Sequence, residues 1–221
     1  MQSAETFWNR IAPKYAKNPV PNEQVYTRKL KITQGYLKPD MRVLEFGCGT
    51  GTTALHHAPF VKEYFATDIA REMIRIAEQK RSDNGVANVK FSVGTINSAW
   101  EQKQQFDAVL GLNVLHLLPD WRTQIETIHR LLPTGGLFIT STACLKENIP
   151  WSWLRFVAPL FRALRVFPTV VFFTKREFFD CIVQTGFEVV HDWTPESSAI
   201  TSFLVCRKNG SSLNRVGNRS S

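Results

Sequence analysis

Apolar positions change their period repeatedly along the chain, and each change predicts an element. Between residues 5 and 17, Phe7, Trp8, Ile11 and Tyr15 recur on one helical face, in a short helix that Pro13 is expected to interrupt. Asn18-Pro19-Val20-Pro21-Asn22 breaks the pattern, and Glu23–Leu37 resumes it as a second helix before Pro39-Asp40. Strands and helices then take turns. Val43–Phe46 reads as a buried strand, Thr52–His57 as a helix stopped by Pro59, and Val61–Thr67 as a second strand. Ile69–Arg81 predicts a helix with Met73, Ile74 and Ala77 inward and alternating charges outward. Val89–Val93 alternates as a third strand, and Phe106–Leu112 is the near-continuous apolar run of a central parallel strand covered on both faces. Asp120–Leu132 reads as a helix capped by Asp120, and Pro133-Thr134-Gly135-Gly136 turns into the strand Leu137–Ser141. A helix over Lys175–Thr185, ending at Gly186, and strands over Phe187–Trp193 and Ala199–Cys206 close the chain. The alternation predicts an α/β protein.

Composition adds limits. At 221 residues and 43% apolar, the chain is long enough for one sizeable core, so a single domain over 1–207 is expected. The net charge is +8, but Lys208, Arg215 and Arg219 fall in a polar stretch over 208–221 that is expected to be a disordered tail. The remaining excess argues solubility rather than nucleic-acid binding. Cys48, Cys144, Cys181 and Cys206 lack paired metal spacing and read as reduced, buried thiols, so no metal is expected. The beginning of the chain has neither a basic start nor an apolar run, which points to a cytoplasmic location.

One segment has a composition of its own. Residues 145–174 crowd Trp151, Trp153, Phe156, Phe161, Phe167, Phe172 and Phe173 with Arg155, Arg162 and Arg165. Three arginines and two prolines argue against a transmembrane helix. The readings that remain are an inserted cap packed on its own domain, a cover for an apolar acceptor, and a contact of 151–173 with a membrane surface.

Candidate chemistry concentrates in Val43-Leu44-Glu45-Phe46-Gly47-Cys48-Gly49-Thr50-Gly51. A strand that ends in a carboxylate and breaks into three alternating glycines predicts a tight bend over a ligand, since glycine leaves no Cβ in between. Gly49-x-Gly51-x-x-Ala54 also satisfies the dinucleotide fingerprint, in which a pyrophosphate meets a helix N-terminus. Glu45 weighs against that reading: it repels a pyrophosphate and attracts an ammonium or sulfonium group. A unit pair ~4 Å apart at an effective dielectric of 20 is worth roughly 4 kcal/mol before desolvation. Tyr64-Phe65-Ala66-Thr67-Asp68 ends a second strand in an acid, which suits a pair of ribose hydroxyls whichever nucleoside carries them.

With its Glu-x-Gly-x-Gly-x-Gly motif, its acid at Asp68 and its Leu-Leu-Pro-Thr-Gly-Gly-Leu turn, the sequence resembles the class I S-adenosylmethionine-dependent methyltransferases, notably those of the ubiquinone and menaquinone type. The resemblance implies a doubly wound, seven-stranded, mostly parallel sheet with helices on both faces and an antiparallel edge strand, the Rossmann-like methyltransferase fold. It also implies S-adenosyl-L-methionine as cofactor and a small-molecule acceptor methylated on O, N or C. Glu45 would hold the methionine ammonium, Gly47, Gly49 and Gly51 would admit the cofactor, and Asp68 would take the ribose, with Cys48, Ile69 and Met73 lining the same site. Thr95 and Ile96 would meet the adenine, although the family usually has an acid where Thr95 stands. Residues 1–38 would form a helical lid bringing Tyr15, and Trp8 beside it, over the cofactor. Asn113 would sit near the methionine portion and His116 is the candidate base. Asn113-Val114-Leu115-His116 is not the Asn-Pro-Pro-Tyr form of enzymes that methylate bases, which again speaks against nucleic acid. Two rivals remain: a catalytically silent relative that binds cofactor or a partner, and a nicotinamide-dependent oxidoreductase.

Overall fold

The computed structural model describes residues 4–18, 20–97, 105–147 and 170–210. The expectations for the aromatic and basic segment fall mostly on 148–169, and those for the tail on 211–221, and both lie outside the described residues.

Seven strands form one sheet: β1 (Arg42–Phe46), β2 (Glu63–Asp68), β3 (Val89–Val93), β4 (Ala108–Leu112), β5 (Leu137–Ala143), β6 (Phe187–Trp193) and β7 (Thr201–Lys208). Their order is β3-β2-β1-β4-β5-β7-β6. Strands β1 to β5 pair in parallel, and β7 runs antiparallel between β5 and the outermost strand β6. The helices are α1 (Ala4–Lys17), α2 (Glu23–Tyr36), α3 (Thr52–His57), α4 (Arg71–Asp83), α5 (Trp121–Leu131) and α6 (Lys175–Gln184).

Strand alternation sends successive side chains to opposite faces, and here both faces are apolar. Leu44, Phe46, Val109, Phe138 and Leu204 build one core with Trp121, Ile125, Phe178 and Ile182 of α5 and α6. Val43, Ala108, Leu110, Ile139 and Val205 build the other with Ala54 of α3 and Ile74 of α4. The doubly wound architecture is therefore the one expected. Met73, Ile74 and Ala77 are the buried residues of α4, as its period predicts.

Three local expectations are corrected. Pro13 does not interrupt α1, which runs through it to Lys17; the face carrying Ala12 is buried while Pro13 itself is exposed, so the ring projects away from the packed side. Asp120 occupies the cap position of α5 without capping it, because its carboxylate accepts from the Gln124 side chain instead. The boundary at 207 is displaced: Lys208 is the last residue of β7, and its Nζ donates to the carbonyls of His129 at 2.6 Å and Leu132 at 2.7 Å. A cation at the end of α5 meets carbonyls that have no partner within the helix.

All four cysteines are free and buried. Among the described residues no helix is long and apolar enough to cross a membrane, and no cluster of His, Cys, Asp and Glu is suited to a metal.

Candidate active site

The order of winding reverses between the parallel strands β1 and β4, since β2 and β3 wind to one side of β1 while β4 and β5 wind to the other. Ligands of open α/β sheets bind beyond the carboxyl ends at such a switch point. The glycine bend lies there. Gly47, Gly49 and Gly51 all have positive φ, at 65°, 55° and 74°. A Cβ on Gly47 would stand 2.5 Å from Val114 Cγ2, and one on Gly51 would stand 2.6 Å from the Phe91 ring, so both glycines are packed shut by the protein itself. Gly49 differs: the nearest atom to its Cβ position is Tyr15 Cε1 at 3.8 Å, which leaves this glycine as the bend's open floor.

Asp68 ties the second strand to that floor. Its Oδ2 accepts from the Gly49 amide at 3.0 Å and its Oδ1 from the Ala70 amide at 2.9 Å. Burial raises the Asp68 carboxyl above its ordinary range, and the two backbone bonds oppose the rise. Each oxygen keeps a lone pair for a hydroxyl of a ligand. Ile69 follows, partly buried. Cys48 is buried in the bend, its thiol pushed well up by burial and then by Glu45 and Asp68.

Glu45 is 3% exposed and accepts one hydrogen bond, from the Tyr64 hydroxyl at 2.9 Å. Burial raises its pKa to about 8, against the opposing pull of that bond, and Asp68 adds to the rise. Among the described residues no lysine or arginine pairs with it. A buried carboxyl without a cation is costly unless something supplies one. The donor set at this end of the site therefore fits a ligand that brings an ammonium and a ribose.

Helix α1 covers the bend. Ala12 packs with Ala70 and Met73 of α4, with Trp8 and Ile11 beside them, so Met73 holds the helix pair together. The rings of Trp8 and Tyr15 meet edge-on, 6.4 Å between centroids. Tyr15 is 51% exposed, and its phenol is raised by partial burial and then by Asp68 and Glu45. Asn9 of α1 accepts from the Glu72 amide at 2.9 Å, the bond that Ala70 at the cap position of α4 cannot provide.

Beyond β3, Thr95 is exposed and Ile96 buried in the core under α5. Beyond β4, Asn113 is exposed at φ 57°, the one non-glycine residue with positive φ among those described. Its amide donates to Ser141 O at 2.7 Å, and its side-chain oxygen accepts from Ser141 Oγ at 3.2 Å. His116 lies on the next turn, partly buried, with Nδ1 3.3 Å from Thr142 Oγ1 and its carbonyl accepting from Val171 N at 2.8 Å. Burial lowers its pKa.

The structure thus gathers Tyr15, Glu45, the glycines and Asp68 around one floor, and sets Asn113 and His116 at the neighbouring strand ends. It adds residues that the sequence did not single out. Tyr64 is the donor to Glu45, Tyr26 of α2 shares a hydrogen bond with Thr53 at 3.2 Å, and Lys29 Nζ donates to Ser141 Oγ at 2.8 Å. Lys80 braces the bend through Thr50 and Thr52 at 3.0 and 2.9 Å. Tyr26 and Lys29 stand three apart and so share a helix face, but that spacing does not name their partners. His57 is fully buried, stacked on Tyr64, and held neutral by burial with a pKa of about 4.

A doubly wound sheet with an acid-floored glycine bend at its switch point defines a nucleoside-binding α/β protein. Residues 37–164 match the methyltransferase domain family, and the chain belongs to that family. It is 32% identical over 110 residues to the uncharacterized methyltransferase YcgJ of Bacillus subtilis, covering 50% of this chain and 44% of that one. It is likewise 32% identical over 144 residues to a ubiquinone biosynthesis O-methyltransferase of Xanthomonas axonopodis, covering 63% and 56%. Among solved structures, the magnesium protoporphyrin IX methyltransferase of Synechocystis with bound SAH shares the fold, with a TM-score of 0.66 and 18% identity over 92% of this chain and 93% of that one. The chain spans about half the length of the curated relatives it matches, from 44% to 60% for the first three.

Proposed function

We propose that the protein transfers a methyl group from S-adenosyl-L-methionine to an O, N or C atom of a small apolar or aromatic acceptor. The observation that carries this reading is Glu45: a carboxyl buried beside an open glycine, with a tyrosine hydroxyl for company and, among the described residues, no cation. When bound, the cofactor supplies an electrophilic methyl on a sulfonium. Glu45 takes the ammonium of the methionine end, Asp68 the ribose hydroxyls, and Thr95 with the Ile96 amide the adenine. Tyr15 closes over Gly49, and Asn113 borders the methionine portion. These residues contribute alignment, which is worth roughly 7–11 kcal/mol when the approach is near-attack. His116, neutral because burial lowers its pKa, takes the proton that an acceptor hydroxyl or amine gives up.

The names of the ubiquinone and demethylmenaquinone relatives support an aromatic acceptor, and so do the aromatics of 151–173. A cytoplasmic location, with that segment against a membrane surface, is the matching cellular setting. Calorimetric titration with S-adenosylhomocysteine and with NAD tests the cofactor: binding of NAD alone overturns the reading. Across a panel of aromatic acceptors, His116→Ala is expected to cut turnover at least about tenfold while cofactor affinity stays within about twofold. Equal losses in both would remove His116 from the chemistry.

A further inference from the structure

We propose that Lys29 is the acceptor-binding residue of this site, its ammonium presented over the end of β5 by α2 to hold an anionic oxygen of the methyl acceptor. The inference rests on the methyl-transfer reading and names the chemical class of its second substrate.

Placement comes first. Ser141 lies opposite Leu112 at the carboxyl ends of β4 and β5, and it shares a sheet face with Leu137 and Ile139, the face on which α2 lies. Lys29 reaches it at 2.8 Å, and Ser141 passes the contact on to Asn113 at 3.2 Å. Asn113 precedes Val114, the residue packed against Gly47, so Ser141, Asn113 and Val114 connect the lysine to the bend. One turn earlier on α2, Tyr26 bonds Thr53 at the start of α3, and its phenol is raised by burial and also by Glu45 and Tyr15. Helix α2 therefore lines the cleft from the cofactor side to the acceptor side.

Chemistry comes second. Among the described residues no carboxylate pairs with Lys29, and burial lowers its pKa with no charge partner to restore it. An ammonium has three donors, and one is spent on Ser141. Holding an unpaired cation in a partly dry cleft is unfavourable, and an anionic ligand reverses the sign of that contribution. The two ends differ in sign: Glu45 suits a cation at one, and Lys29 suits an anion at the other. His116, on Thr142, lies at the same strand end on the opposite face, one strand position from the serine that Lys29 reaches.

The test uses the full chain saturated with S-adenosylhomocysteine, titrated with benzoate, with para-nitrophenolate at mildly alkaline pH, and with uncharged para-nitrobenzyl alcohol. At least one anion is expected to bind about tenfold more tightly than the alcohol. Benzoate alone would assign a carboxylate, para-nitrophenolate alone a phenolate. Lys29→Met should erase the preference and Lys29→Arg should keep it, with S-adenosylhomocysteine affinity unchanged in both. No preference in the wild type, or a Lys29→Met protein that loses anion and alcohol equally, overturns the proposal, the second outcome marking a residue that only braces Ser141. Failure of S-adenosylhomocysteine to bind strikes the methyl-transfer reading instead, and the same titrations on the empty protein then still read the anchor.

Discussion

Glu45, assigned above to the ammonium of the proposed cofactor, costs the empty protein stability. Its folded pKa of about 8 lies above the ordinary 4.5, so the folded state holds a proton that the unfolded chain releases. The associated stability is fully present below about 4.5 and lost as pH rises through about 8. Glu45→Gln keeps an acceptor for Tyr64 and has no charge to bury. Above about pH 8 it is expected to be more stable than the wild type by on the order of 5 kcal/mol, with the difference vanishing as pH falls to about 4.5. Thermal melts of both proteins across that range check the sign. The same variant should bind S-adenosylhomocysteine at least about tenfold more weakly. The residue types Glu45, Gly49 and Asp68 were legible in sequence because each states its chemistry alone. Tyr64 and Lys29 were not, since their partners lie 19 and 112 positions away.

At the scale of elements, α1 and α4 complete one another. Apolar period showed the buried face of α4 and, except for Tyr15, the packed side of α1, but no period announces that Asn9 of α1 finishes the first turn of α4. Ala70 offers no side-chain oxygen at that cap, so the acceptor comes from another helix. Asn9→Ala is expected to cost about 0.5–2 kcal/mol, the range of a lost cap. Urea unfolding should show a lower midpoint with an unchanged slope. The local rule failed differently at Asp120, where residue type and position both suited a cap and Gln124, one turn on, took the carboxylate. At α6 the rule held: Thr174 and Glu177 form the reciprocal box.

For the whole molecule, the central strands were readable because both sheet faces are buried there and the runs are nearly continuous, whereas β3 was read from its alternation and is largely exposed. The mostly parallel sheet with an antiparallel strand was implied by resemblance rather than by period, and the strand order by neither, since nothing local tells β7 to run antiparallel between β5 and β6. Lys208 shows the limit well. In a polar run it looks like the start of a tail, yet in the folded chain it ends β7 and closes the last turn of α5. Lys208→Met should lower stability by about 1–3 kcal/mol, because two carbonyls lose a charged donor. Guanidinium unfolding would report it, and a change within error would mean that water replaces the ammonium without loss.

The register of β1 has a consequence for ligand choice. Val43 lies opposite Tyr64 and Ala108, which puts Glu45 on the same side two residues later. Sliding that strand by a single step would drive the acid into the oily layer of Phe106 and Trp121 and lift Phe46 beneath the open floor. Mispairing would then ruin the interior and blind the cleft together. A well-folded copy of this chain is one that keeps its acid beside Tyr64, at the end of β1 where the bend begins.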